Sequence, residues 1–116
     1  MMVMRTEWSF SLLGAALLVL LYVFGPAAQG QQSSSHKNYT VSIKGFKFVP
    51  EKLEVNAGDT ITWKNEDIVP HIVTGDKFRS KSLDQGDSWT YTANQKGDFP
   101  YNCHFHPTMK GEAVVH

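Results

Sequence analysis

The stretch Tyr101-Asn102-Cys103-His104-Phe105-His106-Pro107-Thr108-Met109-Lys110-Gly111 is where this chain of 116 residues concentrates side chains able to hold a metal. Cys103, His106 and Met109 follow one another at intervals of three, so a tight loop can turn a thiolate, an imidazole and a thioether toward one point. A second imidazole would complete the set. His71, in Ile68-Val69-Pro70-His71-Ile72-Val73, can supply it from an adjacent strand-like segment. One thiolate and two imidazoles in a trigonal arrangement, with a weak axial thioether, suit copper in one-electron chemistry.

Each of these residues has a plainer reading. A cysteine after an apolar strand is commonly a small buried hydrophobe, and a methionine in a loop is commonly a gap-filler. His71, between Val69 and Ile72-Val73, reads equally as a hydrogen-bonded histidine at the rim of a core. Taken singly these readings compete with ligation; taken together they need four coincidences. A zinc-like cluster of Cys103, His104 and His106 is another arrangement that can be written down. Strand alternation opposes it, because a Cys103 that faces the site starts its neighbour His104 on the opposite face. His36 and His116 lie in the lead-in and at the terminus, and are expected to be exposed.

At the residues just described the sequence resembles the cupredoxins, and within them the amicyanin and plastocyanin group. The loop is similar to the family's Cys-x-x-His-x-x-Met pattern in its short form, with Pro107 directly after the histidine. Gly58-Asp59-Thr60-Ile61-Thr62-Trp63-Lys64-Asn65, followed by Pro70-His71, is similar to the family's run before its first ligand. The resemblance runs from about Tyr39 to the C-terminus. It implies one type 1 blue copper per chain, bound by His71, Cys103, His106 and Met109. It also implies a carrier of single electrons between transient redox donor and acceptor proteins in the periplasm or cell envelope. By the same resemblance His106 is partly exposed within an apolar patch, with Pro70, Phe105, Pro107 and Thr108 as its candidate rim. Two positions depart from the family. The asparagine usual after the first histidine and the serine or threonine usual after the cysteine are here Ile72 and His104. The side-chain tether between them is therefore expected to be absent, leaving the backbone N–H of Ile72 to donate to the Cys103 sulfur.

The elements that must position these residues read as strands. Tyr39, Val41 and Ile43 alternate with polar neighbours, as do Leu53 and Val55, Ile61 and Trp63, Trp89 and Tyr91, and Phe99, Tyr101 and Cys103. Turn signals separate them at Val49-Pro50-Glu51, Asn56-Ala57-Gly58-Asp59, Gln85-Gly86-Asp87 and Gln95-Lys96-Gly97-Asp98. Ala113-Val114-Val115 reads as a closing strand, with Gly111 letting the chain turn into it. Short strands at such spacing predict an all-β fold, an antiparallel sandwich or barrel. The resemblance narrows this to a Greek-key β-sandwich of the cupredoxin type over 39–116.

Before that domain the composition changes. Arg5 precedes an apolar run, Leu12 to Phe24, of signal-peptide length, and Ala28 and Gly30 stand at the small positions before a cut ahead of Gln31. Residues 1–30 are expected to be an export signal or, uncleaved, a membrane anchor, and 31–38 a flexible lead-in. One cysteine excludes a disulfide framework within the chain, and ligation accounts for a lone thiol in an exported protein. Zero formal net charge, with both signs interspersed, argues against a nucleic-acid partner and leaves only local docking charges; a monomer is expected. Glu66-Asp67 and Lys110 are candidates for such steering. A site whose ligands are all protein-supplied leaves no open position for substrate, so no enzymatic activity is expected. The competing functions are copper delivery or storage, which soft ligands also permit, and an interaction module that keeps its ligands without using them.

Overall fold

Alternating apolar residues become eight strands within residues 34–116, the part of the chain that the computed structural model describes. They are β1 (Asn38–Ile43), β2 (Phe48–Val49), β3 (Lys52–Val55), β4 (Thr60–Asn65), β5 (Val73–Gly75), β6 (Ser88–Thr92), β7 (Gly97–Cys103) and β8 (Lys110–Val115). The expected leader, 1–30, and the start of the lead-in lie outside the described residues. One sheet runs β2-β1-β4-β6 and the other β3-β8-β7-β5. This is the all-β sandwich that the alternation predicts. Most neighbours are antiparallel; β1–β4 and β3–β8 are parallel, and the chain changes sheets at each step from β2 to β7 before β7 and β8 pair within one sheet.

The core follows from the strand period. Val41, Ile43, Ile61 and Trp63 are at most 1% exposed, and their counterparts on the other sheet are Val73, Tyr101, Cys103, Ala113 and Val115. Trp63 sits centrally among rings: Trp89, Phe78 and Tyr101 lie 5.3–5.6 Å from it, centroid to centroid. Edge and offset contacts of this kind add to simple area burial. Gly111 has a different role from the turn expected of it. It lies within β8 opposite Tyr101, and a Cβ there would stand 2.6 Å from the Tyr101 ring. The strand needs glycine because the ring crosses it.

At the end of the sandwich away from Cys103, Asp59 ties two segments together. Its carboxylate accepts the N–H of Lys37 at 2.8 Å and that of Asn56 at 2.9 Å. These two bonds, more than any other effect, hold its pKa below the usual 3.8. The lead-in is thus anchored at Lys37, one residue before β1 begins.

Candidate metal centre

Cys103 ends β7 facing inward and is fully buried. Beyond it the chain closes on itself. His106 N–H donates to the Cys103 carbonyl at 3.2 Å, Met109 N–H to the His106 carbonyl at 2.9 Å, and Cys103 N–H to the Met109 carbonyl at 3.1 Å. These bonds set the loop before β8 departs. His71 reaches the same end of the sandwich through an isolated bridge to Leu83, with N–H to Leu83 carbonyl at 3.1 Å and the return bond at 2.8 Å. Val73, two residues on, is registered opposite Cys103 in the β5–β7 pair, which brings His71 beside the thiol.

The donor atoms meet there. Cys103 Sγ is 3.5 Å from His71 Nδ1 and 3.7 Å from His106 Nδ1, and all three atoms lie within 4.8 Å of one another. A fit to metal can be checked on these distances. Bonds of about 2.0 Å to nitrogen and about 2.3 Å to sulfur, at an angle of about 115°, separate the two donors by about 3.6 Å. The observed separations bracket that value. Met109 is buried in the same cluster as Cys103, adding a soft thioether to the surroundings. His104 takes no part in the cluster and is exposed, so the arrangement of Cys103, His104 and His106 does not form.

A carboxylate orients the buried imidazole. Asp67 Oδ2 is 2.9 Å from His71 Nε2, and an ionised carboxylate only accepts, so Nε2 carries the proton and Nδ1 presents its lone pair toward Cys103. The same carboxylate accepts the N–H groups of Gly45 at 2.7 Å and Phe46 at 3.0 Å. Desolvation alone would raise the Asp67 pKa; those two N–H groups and the His71 ring outweigh it and hold it below the ordinary value. Asn65, fully buried, supports this from behind. Its amide donates to the carbonyls of Val69 and Leu83 at 2.8 Å each, and its oxygen accepts Asp67 N–H at 2.8 Å. Asp67 is therefore committed to the interior of the site. Of the expected steering pair only Glu66 stands on the surface.

The Phe46 and His71 rings stand 5.1 and 5.4 Å from that of His106. Pro70, Phe105, Pro107 and Thr108 are exposed as the resemblance implies, and His106 itself is half-buried. Phe46, 49% exposed, packs on the His106 ring unannounced by any sequence motif, and Ile68 is a further exposed apolar side chain at 83%. Phe46 stands in an unusual turn. Lys44 and Lys47 exchange both backbone hydrogen bonds, at 2.9 and 3.2 Å, around Gly45 (φ 62°) and Phe46 (φ 59°). Two residues at positive φ are what a type I′ hairpin requires, and the usual choices are Asn and Gly. Phe46 is the one non-glycine residue with positive φ among those described. A main-chain tie joins His71's segment to the cysteine loop. His104 N–H donates to the Ile72 carbonyl at 2.9 Å, so a main-chain bond links the two segments at the positions where the family's side-chain tether is missing.

Fold and donor set together define a small β-sandwich metalloprotein with one thiolate and two imidazoles at one end. Residues 14–115 match the model of the cupredoxin-like domain. The chain belongs to the cupredoxin family, and its cofactor is a single copper ion. Amicyanin from Paracoccus versutus is 30% identical over 82 residues, 65% of this chain and 62% of that protein. The chain thus spans somewhat less than two thirds of that amicyanin's length. Plastocyanin from Nostoc punctiforme is 33% identical over 78% of this chain and 81% of its own. Among solved structures, a purple cupredoxin from Nitrosopumilus maritimus superposes with a TM-score of 0.65 at 28% identity, covering 67% of this chain and 99% of that one.

Proposed function

We propose that this protein is an exported type 1 blue copper protein that carries single electrons between redox proteins, with His71, Cys103, His106 and Met109 as the copper ligands. The observation that carries the reading is the convergence of Cys103 Sγ with two imidazole Nδ1 atoms within 4.8 Å, one imidazole fully buried and the other at an apolar rim. Copper bound there supplies the one-electron couple. The protein does the rest. Asp67 fixes the tautomer of His71, three main-chain bonds fix the loop that holds Cys103, His106 and Met109, and the sandwich keeps Cys103 from water. Ligands that hold their places limit rearrangement when an electron moves.

His106 is the exit for electrons in this reading, because it alone of the histidine pair reaches the surface. The exposed apolar side chains beside it, Phe105, Pro107 and Phe46, suit the small, short-lived interfaces of electron-transfer encounters. Four protein donors leave no position for substrate, which favours a carrier over an enzyme. The partners are redox proteins met as a monomer, in the periplasm or cell envelope.

The test is the visible and paramagnetic resonance spectrum of the full chain loaded with Cu(II). An intense thiolate-to-copper absorption with narrow copper hyperfine splitting is expected. A weak, ordinary Cu(II) spectrum would overturn the type 1 assignment and put copper delivery in its place.

A further inference from the structure

One side chain at the centre has no role so far, and its backbone is held where side chains seldom go. Phe46 occupies a positive-φ position that glycine or asparagine would fill without strain. Strain of this kind persists where surrounding contacts over-determine it, and it concentrates at functional sites. Here the over-determination is visible. The N–H groups of Gly45 and Phe46 both donate to the Asp67 carboxylate, which also holds His71 Nε2.

The ring explains why the turn is worth holding. Phe46 lies 5.6 Å from the His71 ring at an interplanar angle of 85°, and 5.1 Å from the His106 ring at 84°. It meets both imidazoles in the perpendicular arrangement that aromatic rings favour. His106 is half-buried and on a loop; its ring stands 5.4 Å from that of His71, and its Nδ1 is 3.7 Å from Cys103 Sγ. Phe46 also lines a cleft of about 340 Å³ that reaches Thr108 and Met109. Taking the ring away would open the imidazoles to water from that side.

We propose that Phe46 is a positioning residue, an aromatic brace that Asp67 pins against both imidazoles, so that His106 stays in its bonding orientation whether or not metal is present. This rests on the assignment of His71 and His106 as ligands. A ring that only filled surface space would gain nothing from a strained backbone. It would also have no reason to share its anchor with His71.

Phe46→Gly removes the ring and relieves the backbone at once, which separates bracing from stability. Two measurements on the full chain read it. In metal-free protein the His106 ring protons should give narrow resonances with contacts to Phe46 in the wild type, and broadened or shifted ones in Phe46→Gly. In the copper-loaded, reduced protein, transfer of copper to an excess of a Cu(I) chelator should be about tenfold faster in the variant, the scale at which groups supporting a ligand act. Phe46→Tyr should restore both. Unchanged His106 resonances, or copper transfer within about twofold of wild type, would overturn the proposal, since outer groups that act on a site change affinity more than that. Should Phe46→Gly lose its folded near-ultraviolet dichroism, Phe46→Leu carries the same two measurements. A wild type that lacks the blue absorption would overturn the electron-carrier reading alone, because neither measurement depends on colour.

Discussion

At the scale of single residues, two side chains near the donors would act on copper in the proposed site by different physics. Asp67 places a negative charge one imidazole away and keeps the His71 lone pair on the correct nitrogen. Asp67→Asn removes the charge that favours Cu(II), so the reduction potential should rise, and copper affinity should fall by about 10- to 100-fold. Potentiometric titration and chelator competition check the pair of effects; a lower potential would contradict the sign. Met109 is different, since as a proposed ligand its thioether would donate only weakly. Met109→Leu conserves volume and should cost less than about 1.5 kcal/mol of stability. Its potential should nevertheless rise, because the oxidised site loses a donor. A variant that keeps the wild-type potential would remove Met109 from the ligand set.

At the scale of elements, the site depends on β7 and β8 running past one another in a fixed register, and Gly111 opposite Tyr101 is the tightest point of that pair. Gly111→Ala forces the Tyr101 ring to move within a packed core, and overpacking of this sort costs about 1–3 kcal/mol. The urea midpoint should fall accordingly, and the blue absorption should change with it, because Cys103 lies two residues beyond Tyr101. The strands that carry the site were legible in the sequence wherever one face is buried over several residues, as at Val41 and Ile43 or Ile61 and Trp63. β2 and β5 were not, since two or three residues cannot display a period. Cys103, His106 and Met109 were legible through their spacing, and His71 through its neighbours. Asp67 read as a surface charge because its partners, Gly45 and Phe46, are 22 and 21 residues away. Gly45-Phe46 gave no hairpin signal, because phenylalanine occupies a place where only tertiary contacts make it tolerable.

At the scale of the whole molecule, the proposed copper ligands stand at one end of a sandwich whose other end is tied by Asp59, so the stability of the fold can be tested apart from the metal. The Asp59 carboxylate is paired with two N–H groups in the folded chain and with water in the unfolded one. Its folded pKa therefore lies below the ordinary 3.8. Where a folded pKa is depressed, the unfolded state binds more protons over the interval between the two values, and stability rises with pH across it. The contribution is fully present above the unfolded value and is lost as pH falls through the folded one. Metal-free protein followed by urea unfolding should thus weaken progressively below about pH 4 as carboxylates of this kind take up protons. Asp59→Asn should be less stable than wild type at neutral pH, because an amide accepts only through one oxygen and the Lys37 and Asn56 N–H groups use both. It should also show a shallower loss on acidification, the two curves approaching one another in strong acid. Curves that stay parallel from neutral pH downward would mean that the Asp59 bonds contribute equally in both protonation states, contrary to the linkage.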